Sequence, residues 1–208
     1  MANRIENLTR YVGIDDHLTV VKIRYALEII RNEAVKLIIL GVLFAVLGSG
    51  MEYIFSMVLL LPLRMFSGGM HMKTNIGCFI YSLVFCMLTI ILLPMAPINQ
   101  AVLFSLFAVS IAVMAMLSPV ASYKRPIKTE ARRFTLQKKA WICLSIESVV
   151  LIIIWHLGLQ EYFVIGVWVV TLQALQLFTT WIFRKLKGEK NVTKNEEMEA
   201  MACRGGGD

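Results

Sequence analysis

The chain has 208 residues, of which 58% are hydrophobic and 17% charged, with a net charge of +7 and a mean hydropathy of +0.69. A soluble domain is about 45–50% apolar and about 25% charged, so a soluble core cannot absorb this excess. The apolar stretches 37–63, 76–98, 101–121, 141–159 and 162–183 need lipid, and one membrane domain with short polar ends is expected.

The first 36 residues carry interspersed charge and lack an apolar run followed by small residues, so no cleavable signal peptide is read there. Within them Val20, Ile23, Leu27, Ile30 and Ala34 recur at spacings of 3 and 4, while Lys22, Arg24, Glu28, Arg31 and Lys36 fall mostly elsewhere. That pattern is an amphipathic helix with basic flanks, and Asp15 or Asp16 suits its N-cap. Such a helix either lies on the anionic cytoplasmic leaflet or packs on loops of its own protein, and the apolar segment that follows directly favours the membrane surface. Three regions result: an interfacial region 1–36, a membrane domain 37–183 and a flexible basic tail 184–208.

Gly48-Ser49-Gly50-Met51-Glu52 interrupts the stretch 37–63, which is therefore one bent span or a hairpin of two short segments. Parity decides. With a hairpin and a cytoplasmic N-terminus, the inside segments 1–36, 64–73, 122–139 and 184–208 hold 6, 2, 7 and 6 Lys and Arg, the whole basic complement of 21. The outside turns near 48–52, 94–100 and 157–161 then hold none, as the positive-inside rule requires. A single bent span would put Lys124, Arg125, Lys128, Arg132, Arg133, Lys138 and Lys139 outside, and is rejected. The expectation is an all-α polytopic membrane protein of about six transmembrane or re-entrant helices, with both termini cytoplasmic. Segments 37–50 and 52–66 are short against the roughly 20 residues of a full span, so tilting, local thinning or re-entry all stay open.

Pro94 and Pro97 mark an outer turn, and Ser118-Pro119 ends the fourth segment near the inner face. The basic loop 122–139 serves as a topology determinant; a sharper reading makes it a docking surface for an acidic peptide or lipid headgroups. Cys78, Cys86, Cys143 and Cys203 form no close pair and are read as free thiols, neither a disulfide framework nor a metal site. Nothing in the chain calls for a cofactor, a metal or nucleic acid.

Chemistry concentrates in residues 64–78, Arg-Met-Phe-Ser-Gly-Gly-Met-His-Met-Lys-Thr-Asn-Ile-Gly-Cys, between two apolar segments. Cys78 falls near the start of the third segment, where unpaired N–H groups and the helix dipole favour a thiolate. His71 lies upstream, and an imidazole with a reference pKa of about 6.5 can take a thiol proton. On one straight helix seven residues separate the two Cα atoms by about 10.5 Å, so His71 must lie off the helix of Cys78. Gly68-Gly69 supplies freedom for a turn, Thr74 or Asn75 suits a cap, and the glycine N–H groups could face an oxyanion. By spacing alone, a buried Cys is more often a small apolar packer and a His beside a Lys is often solvated.

The run Arg-x4-Gly-x-His-x6-Cys, here Arg64, Gly69, His71 and Cys78, resembles the signature of the accessory gene regulator B (AgrB) family of quorum-sensing systems. The basic amphipathic N-terminus, the short hairpin before the motif and the basic loop after it are also similar, up to about residue 183. Met72 departs from the pattern, where a small residue, often Ala, is expected. The resemblance implies a membrane-embedded cysteine endopeptidase acting on an AgrD-type propeptide, with Cys78 as nucleophile, His71 as general base, and Arg64, Gly68 and Gly69 shaping the site. It implies that Cys78 keeps the N-terminal part of the precursor as a thioester, which closes into a thiolactone or lactone signalling peptide. It also implies a homodimer, and a loop from Lys124 to Lys139 that holds the acidic tail of the peptide. No third catalytic residue is assignable. Glu147, inside an apolar helix, is a functional candidate or a neutral acid bonded to a neighbouring helix; His156 is on the outer side and His17 on the surface. The rival class is a non-catalytic peptide exporter in which His71 and Cys78 line a pathway.

Overall fold

The computed structural model describes residues 17–68, 74–120 and 129–204. Asp15, Asp16, Gly69, His71, Lys124, Arg125 and Lys128 lie outside the described residues. Six helices run among the described residues: α1 His17–Val46, α2 Gly50–Ser67, α3 Asn75–Met87, α4 Gln100–Leu117, α5 Glu130–His156 and α6 Gln160–Arg204. Among the described residues, five segments are long and apolar enough to cross a membrane: Gly50–Ser67, Asn75–Leu92, Gln100–Leu117, Glu130–His156 and Gln160–Phe183. The protein is an all-α, multi-pass membrane protein.

Residues Met1–Gly50 and Met51–Asp208 are two compact units. In the first, α1 runs unbroken through the expected junction at residue 36, because no Pro or Gly interrupts 17–40 and good helix formers follow one another. Leu27 and Ile30 of its apolar stripe are 46% and 62% exposed, an apolar surface suited to the headgroup boundary. It ends at Gly48 with φ +79, where Gly48 N–H donates to the Ala45 carbonyl at 3.1 Å.

In the second unit α2, α4 and α5 each bury a stripe mostly at spacings of 3 and 4. On α2 the stripe is Tyr53, Ser56, Leu59, Leu60, Leu63 and Ser67; on α4 it is Leu103, Phe107, Ser110 and Met114; on α5 it is Ala140, Leu144, Glu147 and Leu151. The other faces stay apolar and outward, as with Ile76, Met116 and Val58, which suits lipid. Helix α6 is the centre: Phe163, Ile165, Val167, Val169, Val170, Gln173, Ala174 and Leu177 are all buried. Gly166 lets it approach α5 closely, since a Cβ there would meet the Leu151 side chain at 2.1 Å.

Contacts at the two ends fix the relative directions. At one end Phe104 of α4 meets Trp155 of α5 and Phe163 of α6 at 5.4 and 5.2 Å, and Phe55 of α2 meets Tyr162 of α6 at 5.3 Å. Further along, Ser110 Oγ donates to Thr171 Oγ1 at 3.1 Å, and Trp141 Nε1 of α5 donates to the Ala115 carbonyl at 3.1 Å. Helices α2, α4 and α6 therefore run one way and α5 the other, as alternating spans demand. The turns 47–49, 93–99 and 157–159 agree with those expected near 48–52, 94–100 and 157–161.

Two expectations are adjusted. Residues 122–139 are not all loop, because α5 begins at Glu130 and takes Arg132, Arg133, Lys138 and Lys139 into its first turns. Helix α6 does not stop near 183 but continues to Arg204, through a polar stretch rich in Lys, Glu and Met, which favour helix.

Candidate active site

The site is built at the end of α2, the start of α3 and the C-terminal end of α4. Helix α2 stops at Ser67 because Gly68 takes φ +85, the left-handed conformation that releases a chain from a helix. The next step of the backbone is clamped. Gly68 pairs with Val120 as an isolated parallel bridge, and Val120 N–H donates to the Ser67 carbonyl at 3.0 Å. The approach is so close that a Cβ on Gly68 would sit 2.2 Å from the Val120 carbonyl oxygen. Gln173, from the middle of α6, completes the clamp: its Nε2 donates to the Gly68 carbonyl at 3.1 Å and to Ser67 Oγ at 3.3 Å. Ser67 Oγ in turn donates to the Leu63 carbonyl at 2.7 Å.

Helix α3 begins behind Thr74, whose backbone is extended (φ −106, ψ 150) and whose Oγ1 accepts from Gly77 N–H at 3.1 Å. Such a cap contributes about 1 kcal/mol to a helix. It sets the first turn, in which the Cys78 N–H donates to the Thr74 carbonyl at 3.1 Å and no acidic residue intervenes. The thiol stands where the positive end of the dipole acts. Cys78 is only 8% exposed, while Asn75 and Ile76 of the same turn are open. It forms no disulfide.

Arg64 links the two helices. Its guanidinium carbon lies 5.9 Å from the Tyr81 ring centroid, and Tyr81 is one turn beyond Cys78, so a cation–π contact holds the last turn of α2 against the first turns of α3. Beyond Met87, α3 widens into a π-helical turn at Leu88–Leu92, closed by Leu93 N–H to the Leu88 carbonyl at 2.9 Å. Buried Thr89 donates back to the Phe85 carbonyl at 3.0 Å there, a hydroxyl competing with the ladder as this turn type permits.

Of the residues expected at the site, Arg64, Gly68 and Cys78 fall on adjoining ends of α2 and α3. Gly69 and His71, as noted, are outside the described residues. Arg132, Arg133, Lys138 and Lys139 are exposed on α5, with Lys138 Nζ 4.5 Å from the Phe134 ring centroid. A small crevice lined by Leu63, Ser67, Met114, Ser118, Trp141 and Leu144 lies on the α2–α4–α5 side of the Gly68 clamp.

Glu147 is 5% exposed, and its partner is on its own helix: Cys143 Sγ donates to Glu147 Oε1 at 3.4 Å. His156 is exposed at the opposite end of α5, against Trp155. Ser67, Val120 and Gln173 were not anticipated. The only signal for Gln173 was two glutamines, Gln173 and Gln176, inside an apolar span.

Comparison with known proteins agrees with the family resemblance. The family described as Accessory gene regulator B matches residues 1–178. A putative AgrB-like protein of Clostridium beijerinckii is 27% identical over 172 residues, covering 82% of this chain and 84% of that protein. The accessory gene regulator protein B of Staphylococcus haemolyticus is 23% identical over 154 residues, 73% of this chain and 80% of its own. No solved structure matches. A matched region of this extent, on a helical multi-pass membrane bundle, gives the conclusion that the chain belongs to the accessory gene regulator B family and has its role in that quorum-sensing-linked system.

Proposed function

We propose that this chain is a membrane-embedded cysteine endopeptidase that cuts an AgrD-type propeptide and starts its closure into a cyclic signalling peptide. The observation that carries the reading is Cys78 in the first turn of a capped helix, joined to the clamped end of α2 by the short segment that contains His71. Chain length allows the base to come near. His71 is three residues before Thr74, so their Cα atoms are at most about 11 Å apart, within reach of an imidazole folding back towards Cys78.

In the proposed reaction His71 takes the Cys78 proton and the thiolate attacks the scissile carbonyl, forming a C–S bond. Collapse of the tetrahedral adduct breaks the C–N bond, and the imidazolium returns the proton to the leaving amine. The N-terminal part of the precursor stays on Cys78 as a thioester. A cysteine thiol or serine hydroxyl of the same peptide then attacks that carbonyl, closes the ring and releases the Cys78 thiol. Exchange conserves the activated acyl group only if water is kept out. Burial of Cys78 supports that requirement.

The positive-inside rule supports a cytoplasmic site. Arg64, Arg132, Arg133, Lys138 and Lys139 share one end of the bundle, and the turns 93–99 and 157–159 at the other end contain no Lys or Arg. That basic end, with Lys124, Arg125 and Lys128, suits an acidic peptide tail, although screening over about 8 Å confines the attraction to near contacts.

His71→Ala is expected to slow cleavage of purified propeptide in liposomes by at least about 10²-fold, with unchanged accumulation of the protein in the membrane. The substitution is also expected to slow alkylation of Cys78, a thiol expected to be labelled faster than Cys86 or Cys143 in the native chain. Cleavage at the native rate in His71→Ala, or equal labelling of the three thiols, refutes the peptidase and favours an exporter.

A further inference from the structure

Gln173 is wholly buried at 0% exposure, and both of its described hydrogen bonds go to the last residue of α2 and the glycine after it, more than a hundred positions away in the chain. Its carbonyl oxygen, Oε1, is buried with no hydrogen-bond partner. An unpaired buried acceptor is destabilising, and an apolar side chain of the same length would fill the space without it. Packing alone therefore does not explain an amide here. What the amide does that Met or Leu would not is hold the Gly68 carbonyl at 3.1 Å.

That carbonyl is a directing group. Gly68 has φ +85, a conformation glycine leaves easily because no Cβ restricts it. The parallel pairing with Val120 fixes one side of the peptide, and Gln173 Nε2 fixes the orientation of its C=O. Ser67 Oγ, which accepts from the same Nε2 and donates to the Leu63 carbonyl, ties the arrangement to α2. Three residues further on comes His71. The Gly68 peptide is therefore the last described point of the chain on its way to His71, and misplacement of a catalytic group by about 1 Å can cost about 10²-fold in rate.

We infer that Gln173 is a positioning residue for the peptidase reaction, which orients the Gly68 peptide from which the chain leaves α2 towards the proposed base and nucleophile. The inference rests on the proposed peptidase reading. The described hydrogen bonds of Gln173 go to Ser67 and Gly68, and it acts through Gly68.

The test uses Gln173→Met, which keeps length and removes both donors, on the full chain in liposomes with purified propeptide. The expected result is a fall in kcat of at least about tenfold with KM within about twofold, at native accumulation. Cys78 alkylation by iodoacetamide slows towards the rate of His71→Ala, and adding Gln173→Met to His71→Ala slows it no further. A purely structural lesion would instead lower accumulation or add to the His71 effect. Unchanged kcat, a change confined to KM, or additive slowing of alkylation overturns the inference. If Gln173→Met fails to accumulate, Gln173→Asn, whose amide falls one methylene short of Gly68, has to give the same kcat and alkylation pattern; a native pattern there overturns it equally. If the native chain itself cleaves nothing, or Cys78→Ala still cleaves, the peptidase reading fails, which is a different outcome from an intact peptidase indifferent to Gln173.

Discussion

Cys78→Ala and Cys78→Ser are each expected to lower propeptide cleavage by at least about 10³-fold, since a triad-type nucleophile carries nearly all of the covalent route. Serine is the informative replacement. It is close in size to cysteine and keeps the first turn of α3, with Thr74 Oγ1 still accepting from Gly77 N–H and the residue-78 N–H still donating to the Thr74 carbonyl. Its hydroxyl is a far weaker acid than a thiol, so the dipole of α3 and the proposed histidine base do not yield a comparable nucleophile. Turnover of purified propeptide by reconstituted variants checks this, with accumulation and thermal unfolding in detergent as controls. Cysteine-to-serine activity within tenfold of native would mean that the chemistry lies elsewhere.

Gly68→Ala is expected to destabilise the protein by about 2–4 kcal/mol and to abolish cleavage with it. Two costs combine. Alanine at φ +85 is strained by about 1–2 kcal/mol, and its Cβ would stand 2.2 Å from the Val120 carbonyl oxygen, a backbone atom that cannot rotate away. Gly48 separates the two terms, because it has φ +79 and nothing within 4 Å of a new Cβ. Gly48→Ala should therefore cost only the strain, about 1–2 kcal/mol, and leave cleavage near native. Unfolding midpoints of the two variants in detergent measure the difference; equal midpoints would remove the Val120 contact from the account.

The spans were legible because their signal is long and one-dimensional. Turn positions near Gly48, Pro94 and Gly158, and the confinement of Lys and Arg to alternate loops, follow from hydropathy and charge. Helix ends in charged sequence were less legible: Arg132 and Arg133 read as loop, yet they are solvated side chains on the first turn of α5. A charge excludes a residue from the bilayer core without excluding it from a helix. Thr74 was one of two candidate caps, and the extended conformation at Thr74 selects it over Asn75.

The clamp around Gly68 was not legible. Gly68-Gly69 signals a turn, but which carbonyl it meets depends on Val120 and Gln173, residues 52 and 105 positions downstream whose own neighbourhoods look like ordinary apolar spans. Glu147 shows the same limit from the other side. An intramembrane carboxyl points to a partner, and the one it finds is Cys143, a single turn away on α5. Pairing across a fold is a property of three-dimensional packing, and a single sequence carries no period or spacing that encodes it.

Covalent acylation of Cys78 by the precursor is the step on which the proposed reaction depends. Propeptide lacking its ring-closing cysteine or serine, incubated with the reconstituted chain, should leave a thioester adduct that can be isolated by acid quenching and located by mass spectrometry. The expected adduct is the N-terminal part of the precursor on Cys78, released by neutral hydroxylamine and absent from Cys78→Ala. Cleavage that proceeds with no such adduct, or an adduct on Cys86 or Cys143, would contradict it.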